Sequence, residues 1–90
     1  MKSLHCIVTG KVQGVYYRSW AFDQAQSLGL SGWARNLDDG KIEILAQGDE
    51  AQAEEFKKRL RQGPSLSRVE DVQADWIDYE KTYSSFEIRG

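Results

Sequence analysis

The sequence predicts a two-layer α+β sandwich in which two helices cover one face of a mainly antiparallel sheet. Three observations lead there: short runs in which apolar residues alternate, two stretches in which the apolar spacing lengthens to that of a helix, and the order in which these follow one another. The order is strand, helix, strand, strand, helix, strand, with one extra short strand at the C-terminal end. A chain of 90 residues can build one core, burying roughly 60 to 70% of its unfolded surface, and residues 1–90 are therefore read as a single domain.

Residues 3–9 alternate, with Leu4, Cys6 and Val8 on one side and Ser3, His5, Ile7 and Thr9 on the other, which is the period of a strand. From Tyr17 the period changes. Tyr17, Trp20, Ala21, Ala25 and Leu28 share one helical face, and Gly29 is placed to stop the helix, so a helix is expected over residues 17–28. Runs over 30–37 and 41–47 are joined by Asp38, Asp39 and Gly40, a connection typical of a hairpin. Asp49 is followed three residues later by Gln52, a capping pattern, and Ala53, Phe56 and Leu60 carry a helical stripe over 50–62, down to Gly63 and Pro64. Val72, Ala74 and Trp76 alternate in a fourth strand, and Phe86 with Ile88 marks the closing one. Two helices separated by a hairpin and returning to one sheet give a ferredoxin-like βαββαβ topology with one strand added.

Twelve basic residues against fourteen acidic leave a net charge of −2, which removes the attraction that dominates nonspecific nucleic-acid binding and offers nothing to an anionic membrane. Any anion site must be a local concentration of positive potential. A lone cysteine precludes an internal disulfide and fits a reducing compartment, while the N-terminus lacks a signal-peptide stretch and no apolar run is long enough to cross a bilayer. The expectation is a soluble, cytoplasmic protein with no nucleic-acid or membrane partner.

The segment Gly10 to Arg18, GKVQGVYYR, carries a strand through two glycines into an amphipathic helix opened by an arginine. It contains no Ser, Thr, Asp or Asn to cap the helix, whose first four N–H groups lack intrahelical partners. A bound phosphate would satisfy them: glycines let the backbone approach, and the helix dipole and Arg18 favour negative charge. By itself the motif also fits a tight turn with a solvent-exposed helix start. Arg18 would aim a planar, permanently charged fork at the enclosed space, its side chain serving a ligand rather than the core. Asn36, near the end of the second strand, has an amide that both donates and accepts, although Asn is common at strand ends for turn chemistry alone.

The remaining candidates are weaker. His5, the one histidine, lies mid-strand and reads as structural; Cys6 reads as a small core residue. No His, Cys and carboxylate cluster has metal-ligand spacing, Asp38 and Asp39 read as solvated turn residues, and Lys57, Lys58, Arg59 and Arg61 as a solvated helix face. An arginine, an amide and a ring of N–H groups include no strong base, yet they can stabilise charge and position a water. That suffices for an activated substrate. A carboxyl phosphate qualifies, because its leaving carboxylate departs without protonation, and the chemistry narrows to hydrolysis of a mixed anhydride.

GKVQGVYYR over 10–18, GLSGWARN over 29–36, Asp39 and Gly40, and Gly48 ahead of the second helix closely resemble the acylphosphatase family, and the likeness runs from the first strand to Phe86–Arg89. The resemblance implies a ferredoxin-like fold, hydrolysis of acyl phosphates to a carboxylate and inorganic phosphate, and no metal or organic cofactor. It implies that Arg18 binds the phosphoryl oxygens together with loop amides of Gln13, Gly14, Val15, Tyr16 and Tyr17, and that Asn36 orients the attacking water, with the proton passing to the substrate's own phosphoryl oxygen. Inorganic phosphate would be product and competitive inhibitor. Tyr17 stands where phenylalanine is common in the family, and Leu37 where some members carry a hydroxyl. Two other readings remain open on the residues alone. One is a catalytically silent phosphate- or acyl-phosphate-binding module; the other is a single-stranded RNA binder, against which the acidic balance and the plain third strand both argue.

Overall fold

The computed structural model describes all of residues 1–90 as seven elements: β1 (Lys2–Lys11), α1 (Tyr17–Ser27), β2 (Ser31–Asn36), β3 (Ile42–Gln47), α2 (Glu50–Gln62), β4 (Arg68–Asp78) and β5 (Phe86–Arg89). The sheet order is β4-β1-β3-β2-β5. Every neighbouring pair is antiparallel except β2 and β5, which run parallel with Ala34 opposite Ile88. The added strand thus sets the C-terminal end of the chain beside β2 and under α1. Neither helix is long and apolar enough to cross a membrane.

The two helices begin in opposite ways. Asp49 caps α2, its carboxylate accepting the Gln52 N–H at 3.1 Å, and Glu50 adds acid to the first turn where the dipole favours it. At the start of α1 Tyr16 sits in the left-handed region and no side chain caps the turn.

Leu4, Cys6 and Val8 of β1 meet Ala53, Phe56 and Leu60 of α2 and Tyr17, Ala21 and Ala25 of α1 in one continuous core. Phe86 brings β5 into it, edge-on to Phe22 and Phe56 at 6.3 and 6.1 Å between ring centroids. Burial pushes the Cys6 thiol up to about 12, so this cysteine packs as an apolar side chain with no thiolate to offer. Arg59 departs from the solvated helix face expected of it: its guanidinium bonds Glu55, then crosses to Gln24 Oε1 at 2.9 Å and Ser27 Oγ at 3.1 Å, tying α2 to α1.

The face of the sheet away from the helices is covered in part. Trp33, Leu45 and Gln47 point there and are buried, and the segment between β4 and β5 is pinned to Gln47. The Gln47 amide does the pinning: its Nε2 donates to Ser3 Oγ and the Lys81 carbonyl, and its Oε1 accepts the Tyr83 N–H. The guanidinium of Arg89 lies 4.8 Å from the Trp33 ring and donates to the Tyr83 hydroxyl. Also on this face, partial burial works against the charge of Glu43. Hydrogen bonds from His5 and Arg35 outweigh it and hold the carboxyl below the usual carboxylate range.

Tyr17 shows how the first helix is seated. Its hydroxyl donates to the Leu60 carbonyl at 2.7 Å, one of the last carbonyls of α2, which have no intrahelical donor. Burial raises this phenol's pKa well above its ordinary value, so it remains a donor at any physiological pH. Tyr17→Phe should lose about 1 kcal/mol, because the buried carbonyl is left without its donor. Urea unfolding should show a lower midpoint at constant m-value; an unchanged midpoint would mean that solvent replaces the hydroxyl at no cost.

Candidate functional site

Two glycines precede α1, one near the end of β1 and one in the loop that follows, and the structure gives them different tasks. At Gly10, φ is 132° and an added Cβ would lie 2.1 Å from the Arg68 carbonyl, so this glycine serves the close approach of β4 at an irregularity in the β1–β4 pairing. At Gly14, φ is 73° with open space where a Cβ would be, so its service is conformational. Two residues later Tyr16 is also left-handed, at φ 64° and ψ 24°, and is the only non-glycine residue with positive φ. A bulky residue holds that conformation at a cost of about 1–2 kcal/mol. Left-handed residues interspersed in a turn curl successive N–H groups toward one concavity, the geometry of an anion-binding nest.

Arg18 follows on the first turn of α1. Its Nη1 donates to the main-chain carbonyl of Arg89 on β5. The side chain was expected to serve a ligand alone; it also fastens the last strand, and that bond holds one arm of the guanidinium in place. Asn36 ends β2 opposite Ile42, and its Oδ1 is buried without a hydrogen-bond partner, an unusual state for a side-chain acceptor.

A cleft of about 290 Å³ joins these features, with Gly14, Tyr16, Tyr17, Arg18 and Asn36 in its walls. Gln13 and Val15 are outside its lining. The Val15 side chain belongs to the core, whereas Gln13 acts as a strut: its Nε2 donates to the Leu37 carbonyl at 2.7 Å and the Lys41 carbonyl at 2.9 Å. Those bonds tie the loop to both sides of the turn between β2 and β3 and so set Asn36 beside it. The hydroxyl of Tyr17 is committed to the Leu60 carbonyl. Val12, Ser19 and Ile88, which sequence reasoning passed over, also line the cleft. Ile88 is 52 residues from Asn36, and only the parallel pairing of β5 with β2, invisible in the apolar pattern, brings it near.

The residues set aside from sequence lie elsewhere. His5 bonds Glu43 at 2.7 Å on the far face, Cys6 is in the core, and Asp39 accepts the Lys41 N–H within its own turn.

An uncapped, curled loop, an arginine and an amide thus meet in one cleft of a two-layer α+β domain. The family model described as Acylphosphatase matches residues 4–88. The chain is 45% identical over 84 residues to an acylphosphatase of Pelotomaculum thermopropionicum, covering 93% of this chain and 91% of that one. It is 49% identical over 76 residues to an acylphosphatase of Thermus thermophilus, covering 84% and 86%. The crystal structure of acylphosphatase from Bacillus subtilis superimposes with a TM-score of 0.94 at 33% identity, over the whole of both chains. The chain belongs to the acylphosphatase family.

If an anion completes the first turn of α1, sulfate or phosphate should raise the midpoint of thermal unfolding as its concentration passes the dissociation constant, by mass action on the native state. Sodium chloride at equal ionic strength should raise it less; equal shifts from both salts would point to general screening.

Proposed function

We propose that this chain hydrolyses acyl phosphates to a carboxylate and inorganic phosphate in the cleft between the β1–α1 loop and the end of β2, with Arg18 and the loop amides holding the phosphoryl group and Asn36 orienting water. Membership in the family supports the reaction. The observation that carries the assignment of roles is the meeting, in one cleft, of an uncapped left-handed loop, a guanidinium held at one arm and a buried amide oxygen without a partner.

The chemistry follows from what each group can do. The guanidinium of Arg18, tethered through Nη1 to the Arg89 carbonyl, offers its other N–H donors to two phosphoryl oxygens, and N–H groups of Gln13 to Tyr17 meet the rest. Charge spreads over those oxygens as the P–O bond to the acyl group lengthens in a loose transition state. The Asn36 Oδ1 accepts one hydrogen of a water and aims its oxygen at phosphorus, opposite the leaving carboxylate. As the new P–O bond forms, the water's proton passes to a phosphoryl oxygen. The products are a carboxylate and dihydrogen phosphate, with no protein group changed. Arg18 supplies the positive charge, so on this reading neither a metal nor an organic cofactor takes part.

Residues 1–90 act on this reading as one domain, supported by the single continuous core. The same reading has a cytoplasmic monomer, with inorganic phosphate as product and competitive inhibitor and with no nucleic-acid or membrane partner. The net charge of −2 supports the last of these.

Asn36→Ala should keep the fold and phosphate affinity while kcat falls at least about 100-fold, because water orientation matters only on the way to the transition state. Turnover within twofold of wild type would remove Asn36 from the reaction. Arg18→Lys keeps the charge but not the planar fork, and should weaken phosphate binding as well as cost at least about 100-fold in rate. Near-wild-type turnover in that variant would mean that charge alone suffices.

A further inference from the structure

Two exposed side chains that line the cleft have no place in the phosphoryl chemistry. Tyr16 is 76% exposed and its backbone is left-handed, a conformation that bulky residues avoid and glycine or asparagine would take at less cost. Ile88, which also lines the cleft, is 44% exposed. Exposed apolar residues scattered singly need no explanation, but of the four large ones on this chain these two line the same cleft. Buried Val12 adds to its apolar wall, and Arg18 is the one charged residue in the lining.

That distribution of charge bears on the substrate. Once Arg18 is engaged with the phosphoryl group, the walls offer no second cation to an acyl chain bearing another carboxylate or phosphate. In a mixed anhydride the carbonyl carbon lies one oxygen from phosphorus, on the side away from the oxygens held by the loop. The acyl group must therefore run from the cradle along the rim. At about 290 Å³ the cleft stands near the lower end of ligand pockets, roughly 300–1,000 Å³, which leaves space for more than a phosphoryl group and a water.

We propose that Tyr16 and Ile88 form an acyl subsite, and that the substrates turned over best are acyl phosphates with an uncharged, apolar acyl group. The inference rests on the reading that this cleft hydrolyses acyl phosphates. Each methylene buried between ring and isoleucine should favour the bound transition state by about fourfold, so a phenylacetyl group should gain at least about tenfold over acetyl.

The test is kcat/KM for phenylacetyl phosphate and for acetyl phosphate, measured on wild type, Tyr16→Asn and Ile88→Thr. Asparagine tolerates the left-handed backbone, and threonine keeps the β-branching suited to β5. Wild type should prefer phenylacetyl phosphate by at least about tenfold, and in each variant that preference should fall at least about threefold, close to one buried methylene. A wild-type preference below twofold, or equal losses on both substrates in both variants, would overturn the subsite while leaving hydrolysis in this cleft intact. Wild-type protein that hydrolysed neither compound would overturn the functional reading and the subsite with it.

Discussion

The turn from β1 into α1 is the constraint on which the rest of the structure depends. The chain leaves a strand that pairs on both sides, passes two left-handed residues, and enters a helix with no side chain to cap it. Both the strain at Tyr16 and the open N–H groups would be liabilities in a purely structural turn. They become assets if an anion sits in the concavity, because the donors are then preorganised and need not reorient as charge develops.

What surrounds the turn holds it in that state. Gln13 braces it against the β2–β3 hairpin, Tyr17 roots the first helical turn in the last turn of α2, and Arg18 reaches the carbonyl of Arg89. The third tie links the two faces of the sheet. While the Arg89 carbonyl receives Arg18, its guanidinium packs by Trp33 and bonds Tyr83 on the far face, where the segment pinned by Gln47 lies. A strand of four residues is thereby fixed on both sides, and with it the orientation of the guanidinium at the cleft.

Local signals made much of the fold legible. The stripe Ala53, Phe56 and Leu60 with the Asp49 cap marks α2 at the limits observed, Asp39 and Gly40 mark the hairpin, and the lack of a cap before Tyr17 is a real feature of α1. The parts that could not be read depend on pairings distant in sequence. Nothing periodic announces that β5 lies parallel to β2, that Gln47 binds the backbone near residue 81, or that Arg18 meets residue 89. Gly10 was misleading for a related reason: a glycine beside a phosphate-loop pattern invites a ligand reading, whereas the Arg68 carbonyl is what needs the room. In the site, Arg18 and Asn36 stood out by residue type and share the cleft, while Ile88 looked like any strand residue until β5 was placed.

Amide chemical shifts during a titration with inorganic phosphate test the central claim most directly, since each N–H of the loop reports its own acceptor. Saturable shifts should concentrate at the amides of Gln13 to Tyr17, accompanied by slower hydrogen exchange there and a change at the Asn36 side-chain amide. Shifts gathered instead on the basic residues of α2, Lys57 to Arg61, or scattered without saturation, would contradict the claim that this turn is built around a phosphoryl group.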